Sequence, residues 1–183
     1  MGSRSANLEV GKASMTDFNI VECEIRQLHA RYCDAVWRKD FDAFADCFAH
    51  DAEWRIAGNI FKGRNNIKEA ITGIMAQFSR ILMNLQTPIL EVGEGVAQGR
   101  TYSTEHTRLI TGERGLSVGT YYERFVDDGD RWRFSWRLFQ LHYSGPPDLS
   151  GPFFDNPDYG PPPAMPSLGE PSVDLVEWAA RAK

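Results

Sequence analysis

The sequence predicts an α+β domain in which a curved, cone-shaped antiparallel sheet and three N-terminal helices enclose a cavity. Three observations predict it. Apolar residues recur at helical spacing in the first part of the chain. Two-residue alternation takes over from Ile81 onward. Short turns rich in glycine or aspartate then join the long segments.

Residues 1–15 read as a disordered tail without the apolar centre of a secretory signal. Val21, Ile25, Leu28, Tyr32 and Val36 then mark one helix face, capped by Thr16 or Asp17 and ending near Arg38-Lys39. Asp40 reads as the N-cap of a second helix with the stripe Phe41, Phe44, Ala45 and Phe48, ending at His50-Asp51. Residues 52–57 form a short strand with Trp54 and Ile56 on one face, and Gly58-Asn59 a turn. A third helix over 65–78 points Ile67, Ala70, Ile71, Ile74, Met75 and Phe78 inward.

The remainder of the domain reads as strand. Residues 81–92 alternate, with Ile81, Met83, Leu85, Thr87 and Ile89 on one face. Strands over 97–110, 116–126 and 131–143 follow, the last two joined by the Asp127-Asp128-Gly129-Asp130 turn. In the last strand Trp132, Phe134, Trp136 and Leu138 face one way, and Arg131, Arg133, Ser135 and Arg137 the other. Four long strands with short connections make an antiparallel meander.

The chain divides into the tail 1–15, the domain 16–143, and a segment 144–183 of different character. Nine of the ten prolines lie in 144–171, so this part is extended, and Phe153, Phe154 and Tyr159 lay it over the body. Ser172 caps a short helix over 173–182. Net charge is −5 and the pI about 5.4, which excludes the basic footprint of a nucleic-acid or anionic-membrane binder. No apolar run approaches the ~20 residues of a membrane helix, so a cytoplasmic protein is expected. Cys23, Cys33 and Cys47 are odd in number and lack C-x-x-C spacing, as expected for buried free thiols. Four isolated histidines carry no metal-ligand spacing, and no phosphate loop or nucleophile elbow is present. Neither a metal nor a cofactor is expected.

The stretch RYCDAVWRKDFDAFADCFAHDAEW, together with LMNLQTPIL, resembles the SnoaL-like part of the nuclear transport factor 2-like superfamily over about residues 20–143. The resemblance implies the cone-shaped fold, homo-oligomerisation as a dimer or trimer, and relatives among steroid isomerases, scytalone dehydratase, bile-acid dehydratases, a hexachlorocyclohexane dehydrochlorinase and polyketide cyclases. Tyr32 falls where relatives keep an oxygen-polarising tyrosine, and His106 near a pocket histidine. The positions of the family's Asp–His dyad are Trp37 and Met83, and that of the isomerases' aspartate base is near Ile56. The usual bases are therefore replaced.

The candidate catalytic residues are Tyr32, as a donor to a substrate oxygen, and His106, whose ordinary pKa suits proton transfer. The strand of His106 has no apolar parity, so either His106 or Glu105 is the inward group. Trp37, Trp54, Met83, Phe78, Tyr102 and His142 are candidates to line or rim a pocket for a flat, apolar cyclic molecule. His29 and His50 read as surface or helix-end residues, and Asp34 as exposed beside Arg31 or Arg38. The arginine face of 131–137 and the C-terminal helix are candidate subunit contacts. The expected function is a small cofactor-independent lyase, isomerase (dehydratase, cyclase) acting by proton transfer. The alternatives are a non-catalytic binding domain of the same fold and a β-subunit-like partner of an oxygenase.

Overall fold

The computed structural model describes residues 15–174, in which three helices pack against one seven-stranded sheet. Helix α1 (Met15–Arg38) buries the predicted stripe of Ile25, Leu28, Tyr32 and Val36. Asp40 caps α2 (Phe41–Asp46), its Oδ1 accepting from the Ala43 amide at 3.0 Å. The second helix is shorter than its apolar stripe suggests. Strand β1 (Phe48–Ile56) starts where the helix was expected to continue, so His50 and Asp51 are strand residues. The cause is tertiary: the Phe134 amide donates to the Cys47 carbonyl at 2.9 Å, and β1 is drawn into a ladder with the last strand. A six-residue helix has little intrinsic stability to oppose this.

Strand β1 folds back on β2 (Asn59–Lys62), an edge strand that the turn signal concealed. Helix α3 (Arg64–Met75) buries Ile67, Ile71 and Met75 and stops short of Phe78, which opens β3 (Phe78–Leu85). The predicted strand over 81–92 is two strands, β3 and β4 (Ile89–Val92), interrupted at Pro88, which has no N–H for the ladder. Both pair with β5 (Val96–Leu109), which continues through β6 (Arg114–Asp127) to β7 (Trp132–Gly145) as the expected meander. The sheet order is β2-β1-β7-β6-β5-β3, curved and unclosed, with β1 parallel to β7. The architecture is α+β, as predicted.

Strand β7 departs from simple alternation. Its register against β6 shifts around Ser135 and again around His142. Each extra residue moves the following side chains to the opposite face. Trp132 and Phe134 therefore join the helix-side core, whereas Trp136 and Leu138 turn outward and pack with Tyr122, Tyr159 and Met165. Arg137, expected on an outer face, points inward and is fully buried. Arg133 is also buried, bonded to Asp46 at 3.2 Å and Asp128 at 2.9 Å. The expected arginine contact surface is thus occupied by internal ion pairs. Cys47 is buried, Cys33 half-buried and Cys23 exposed, so the buried-thiol expectation fails for Cys23.

The proline-rich segment crosses the outer sheet face. Gln140 donates to the Tyr159 hydroxyl at 3.1 Å and to the Pro171 carbonyl at 3.0 Å. It then reaches the β1–β2 turn, where Arg55 donates to the Glu170 carbonyl at 2.8 Å and the Gly58 amide to the Ser172 hydroxyl at 2.9 Å. Residues 173–174 are not helical, and the rest of the expected C-terminal helix, like the tail 1–14, lies outside the described residues. Among the described residues no helix is long and apolar enough to cross a membrane.

Gly119 sits under the Phe139 ring, which a Cβ would approach to 2.4 Å. The ring needs this space to lie flat on the inner face. Gly119→Ala should cost about 1–3 kcal/mol in denaturant unfolding, the usual range for overpacking, whereas Gly95→Ala, with open space around it but a positive φ, tests backbone strain alone.

Candidate functional site

The inner face of β5 carries Thr101, Ser103, Glu105 and Thr107, and that of β6 carries Ser117, Tyr121 and Glu123. Across from them stand Tyr32 and Val36 of α1, Ile71, Ile74 and Met75 of α3, and Trp54 and Ile56 of β1. With these, Glu105, Thr107, Ser117 and Tyr121 of the sheet line a cavity of about 360 Å³, apolar on the helix side and polar along the β5–β6 side. Its size is at the small end for ligand pockets. The predicted polar parity of β5 is resolved here: the odd residues face the cavity.

Among the described residues Glu105 is the one carboxylate in the cavity lining. Burial raises its pKa to about 7, the nearby Arg137 charge offsetting part of the rise. Tyr32 and Tyr121 also line the cavity, and their hydroxyls are hydrogen-bond partners of each other. Burial pushes the Tyr32 phenol up to about 12, against the opposing pull of Arg137 and of the Tyr121 hydrogen bond. Tyr121 is raised well above the usual phenol value, again chiefly by burial. Both phenols are neutral donors at physiological pH.

Beneath the two tyrosines lies a buried charge cluster. The Arg137 guanidinium is 3.8 Å from the Tyr121 ring centroid and 4.2 Å from those of Tyr32 and Phe134. It pairs with Glu123, Nε donating to Oε1 at 2.8 Å. Glu123 Oε2 is 3.0 Å from His29 Nε2 and accepts from the Thr101 hydroxyl at 2.7 Å. Burial works to raise the Glu123 pKa, but the His29 and Arg137 charges and the bonds from His29 and Thr101 outweigh it, so Glu123 sits below the ordinary carboxylate range. The ring stacking and the carboxylate together fix the arginine behind the phenols.

The structure separates the sequence candidates. Tyr32, Trp54, Phe78 and Met83 line the cavity. His106 does not: it belongs to the even parity of β5 and is exposed on the outer face. Glu105, its neighbour, is the inward group. Tyr102 shares the outward parity and is 41% exposed. His142 lies at a bulge on the outer face, where it meets Thr120 Oγ1 at 2.7 Å and Asn156 Nδ2 at 3.0 Å and so ties the proline-rich segment to the sheet. Burial pushes its pKa down. Trp37 is 51% exposed and donates from Nε1 to the Met83 carbonyl at 2.9 Å, beside an open surface groove outside the cavity. Asp34 is exposed and paired with Arg38 at 3.2 Å.

His29, expected at the surface, is 4% exposed. Its position four residues before Cys33 on α1, and one turn from Tyr32, already put it on the edge of the apolar stripe. Tyr121, Glu123 and Arg137 were missed as site residues. The run Tyr121, Glu123, Phe125 on one strand face was a usable signal, whereas Arg137 was hidden by the bulge. Among the described residues no group of three or more His, Cys, Asp or Glu side chains is placed to hold a metal ion.

Comparison with known proteins agrees with this architecture. A scytalone dehydratase candidate from Novosphingobium aromaticivorans is 24% identical, with a TM-score of 0.66 over 71% of this chain and 90% of its own. The hexachlorocyclohexane dehydrochlorinase LinA type 3 from Novosphingobium barchaimii is 20% identical, with a TM-score of 0.67 over 79% of this chain and 100% of its own. Rv3472, a protein of unknown function from Mycobacterium tuberculosis, was solved as a variant that is 26% identical, with a TM-score of 0.63 over 72% of this chain and 78% of its own. Comparison with curated proteins gives no match. The family profile of the SnoaL-like domain covers residues 21–137. With the profile spanning most of the helix–sheet body, and with the cavity enclosed by that body, the chain belongs to the SnoaL-like domain family.

Proposed function

We propose that the protein is a small cofactor-independent lyase or isomerase that transfers a proton on an apolar cyclic substrate, with Glu105 as the base and Tyr32 as the oxygen donor. The observation that carries this reading is a carboxylate, the one among the described lining residues, whose pKa burial raises to about 7 in an apolar cavity shared with two hydrogen-bonded phenols. A base poised near the working pH is half ionised and still strong enough to act. Glu105 takes the place first assigned to His106.

In this mechanism the substrate carbonyl accepts a hydrogen bond from Tyr32, whose own oxygen accepts from Tyr121. The Glu105 carboxylate takes the proton from the adjacent carbon. The C–H electron pair moves toward the carbonyl, and negative charge gathers on the oxygen held by Tyr32. Arg137, stacked behind both rings, favours that charge without entering the lining. The protonated Glu105 then returns its proton to another carbon, giving isomerisation, or to a departing oxygen, giving elimination.

The non-catalytic reading drew on Trp37 and Met83 at the dyad positions. Trp37 lies outside the cavity, and Met83 leaves about 360 Å³ open, so the two do not fill it. A binding domain and an enzyme are separated by deuterium exchange at the acidic carbons of apolar cyclic ketones in heavy water, read by NMR. Glu105→Gln should slow exchange by about 10²-fold or more and Tyr32→Phe by a similar factor. His106→Ala should leave it unchanged. Ketones that bind without any exchange would establish the binding-domain reading instead.

The exchange rate should rise with pH and level off above about 7, as Glu105 ionises. Stability should move the other way. The folded-state pKa of Glu105 lies above its unfolded value, so between the unfolded value and about 7 the folded state holds more protons, and stability falls as pH rises. Glu105→Gln should therefore melt at a higher temperature than wild type at pH ~8, and the gap should narrow as the pH falls below about 7 and close near the ordinary glutamate value of about 4.3.

A further inference from the structure

The cavity has a second polar end. In the sheet register Met83 lies opposite Glu105, Glu105 opposite Ser117, and Ser117 opposite Ser144, so one row of side chains crosses four strands. Directly opposed residues place their Cβ atoms about 5 Å apart. Ser117 is therefore next to Glu105, and Ser144 lies one strand further on, at the exposed margin of the cavity. Tyr121 stands four residues along β6 from Ser117, on the same inward parity. The carboxylate and the two serines thus share one row across the sheet, the phenol pair lies two inward positions along from it, and the apolar wall of Trp54, Ile71, Ile74 and Met75 faces them.

Among the described residues neither serine hydroxyl is spent on a protein hydrogen bond. No arginine, lysine or histidine among the described residues belongs to the cavity lining, and Arg137 is held behind two rings by Glu123. A carboxylate brought into this space would meet Glu105 without a counter-ion, a costly arrangement in an enclosed apolar site.

We propose that Ser117 and Ser144 form a second subsite, and that the cavity selects neutral one- or two-ring molecules with two oxygens: one held by Tyr32 and one by the serines. This rests on the assignment of the cavity as the substrate site, but not on catalysis. Glu105 then lies in the serine row, directly opposite Ser117, with the phenols two inward positions further along the sheet. A second hydroxyl adds affinity because it meets hydroxyls that make no hydrogen bond to other described residues, whereas an ionised carboxylate is rejected.

Titration calorimetry at pH ~8 with full-length protein tests this, using the two-ring ketone tetralone, its ring-hydroxylated isomers and the matching ring carboxylic acids. At least one hydroxylated isomer should bind about tenfold more tightly than tetralone, the effect of one good hydrogen bond. The Ser117→Ala/Ser144→Ala double variant should lose that gain while binding tetralone as wild type does. Tyr32→Phe should weaken tetralone and the hydroxylated isomer alike. The acids should bind at least about tenfold more weakly than tetralone, and Glu105→Gln should restore them. A hydroxyl gain that survives in the double variant, or acids that bind wild type as well as tetralone, would overturn the proposal. Failure of every ligand to bind would overturn it together with the cavity assignment. Binding in the expected order without deuterium exchange would uphold the subsite and remove only the enzymatic reading.

Discussion

The buried pair of Arg137 and Glu123 is the constraint on which the site depends. Two charges removed from water are tolerable only when held in close geometry and supplied with further partners. Glu123 meets this requirement with three, Arg137, His29 and Thr101, drawn from β7, α1 and β5. Arg137 meets it with Glu123 and with the faces of Tyr32, Tyr121 and Phe134. One ion pair thereby ties the first helix to the middle of the sheet and sets the position of the two phenols that line the cavity.

The pair also organises the electrostatics of the cavity. The arginine charge is compensated by Glu123 at close range, so its remaining influence on Glu105 is modest. Burial wins, and Glu105 is left near neutrality instead of fully ionised. The same carboxylate in contact with an uncompensated arginine would be a weak base. Catalytic capacity in this reading comes from keeping the strong ion pair and the weakly held carboxylate apart on adjacent strands.

The sequence made the framework legible where local rules operate unopposed. The stripe of α1, the Asp40 cap, the meander and its turns all follow from spacing and turn chemistry. Legibility ended where tertiary pairing overrides a local pattern. Phe48 left its expected helix to pair with β7, and the bulges of β7 moved Arg137 to the inside. Parity arguments fail at bulges because one extra residue reverses every later side chain. The site was half visible for the same reason. Tyr32 lay on an unmistakable stripe, and the polar parity of β5 showed that a cavity faced it, but alternation alone left His106 and Glu105 as equal candidates. His29 and Glu123 are 94 residues apart, and no local pattern announces a contact of that kind.

The central claim is that Glu105 is a cavity carboxylate held near neutrality, and direct titration of that carboxyl tests it most closely. Protein labelled with carbon-13 at glutamate side-chain carboxyls, compared with Glu105→Gln to assign the resonance, gives its pKa by NMR. The account predicts a midpoint of about 7. A midpoint at the ordinary glutamate value, about 4.3, would contradict it.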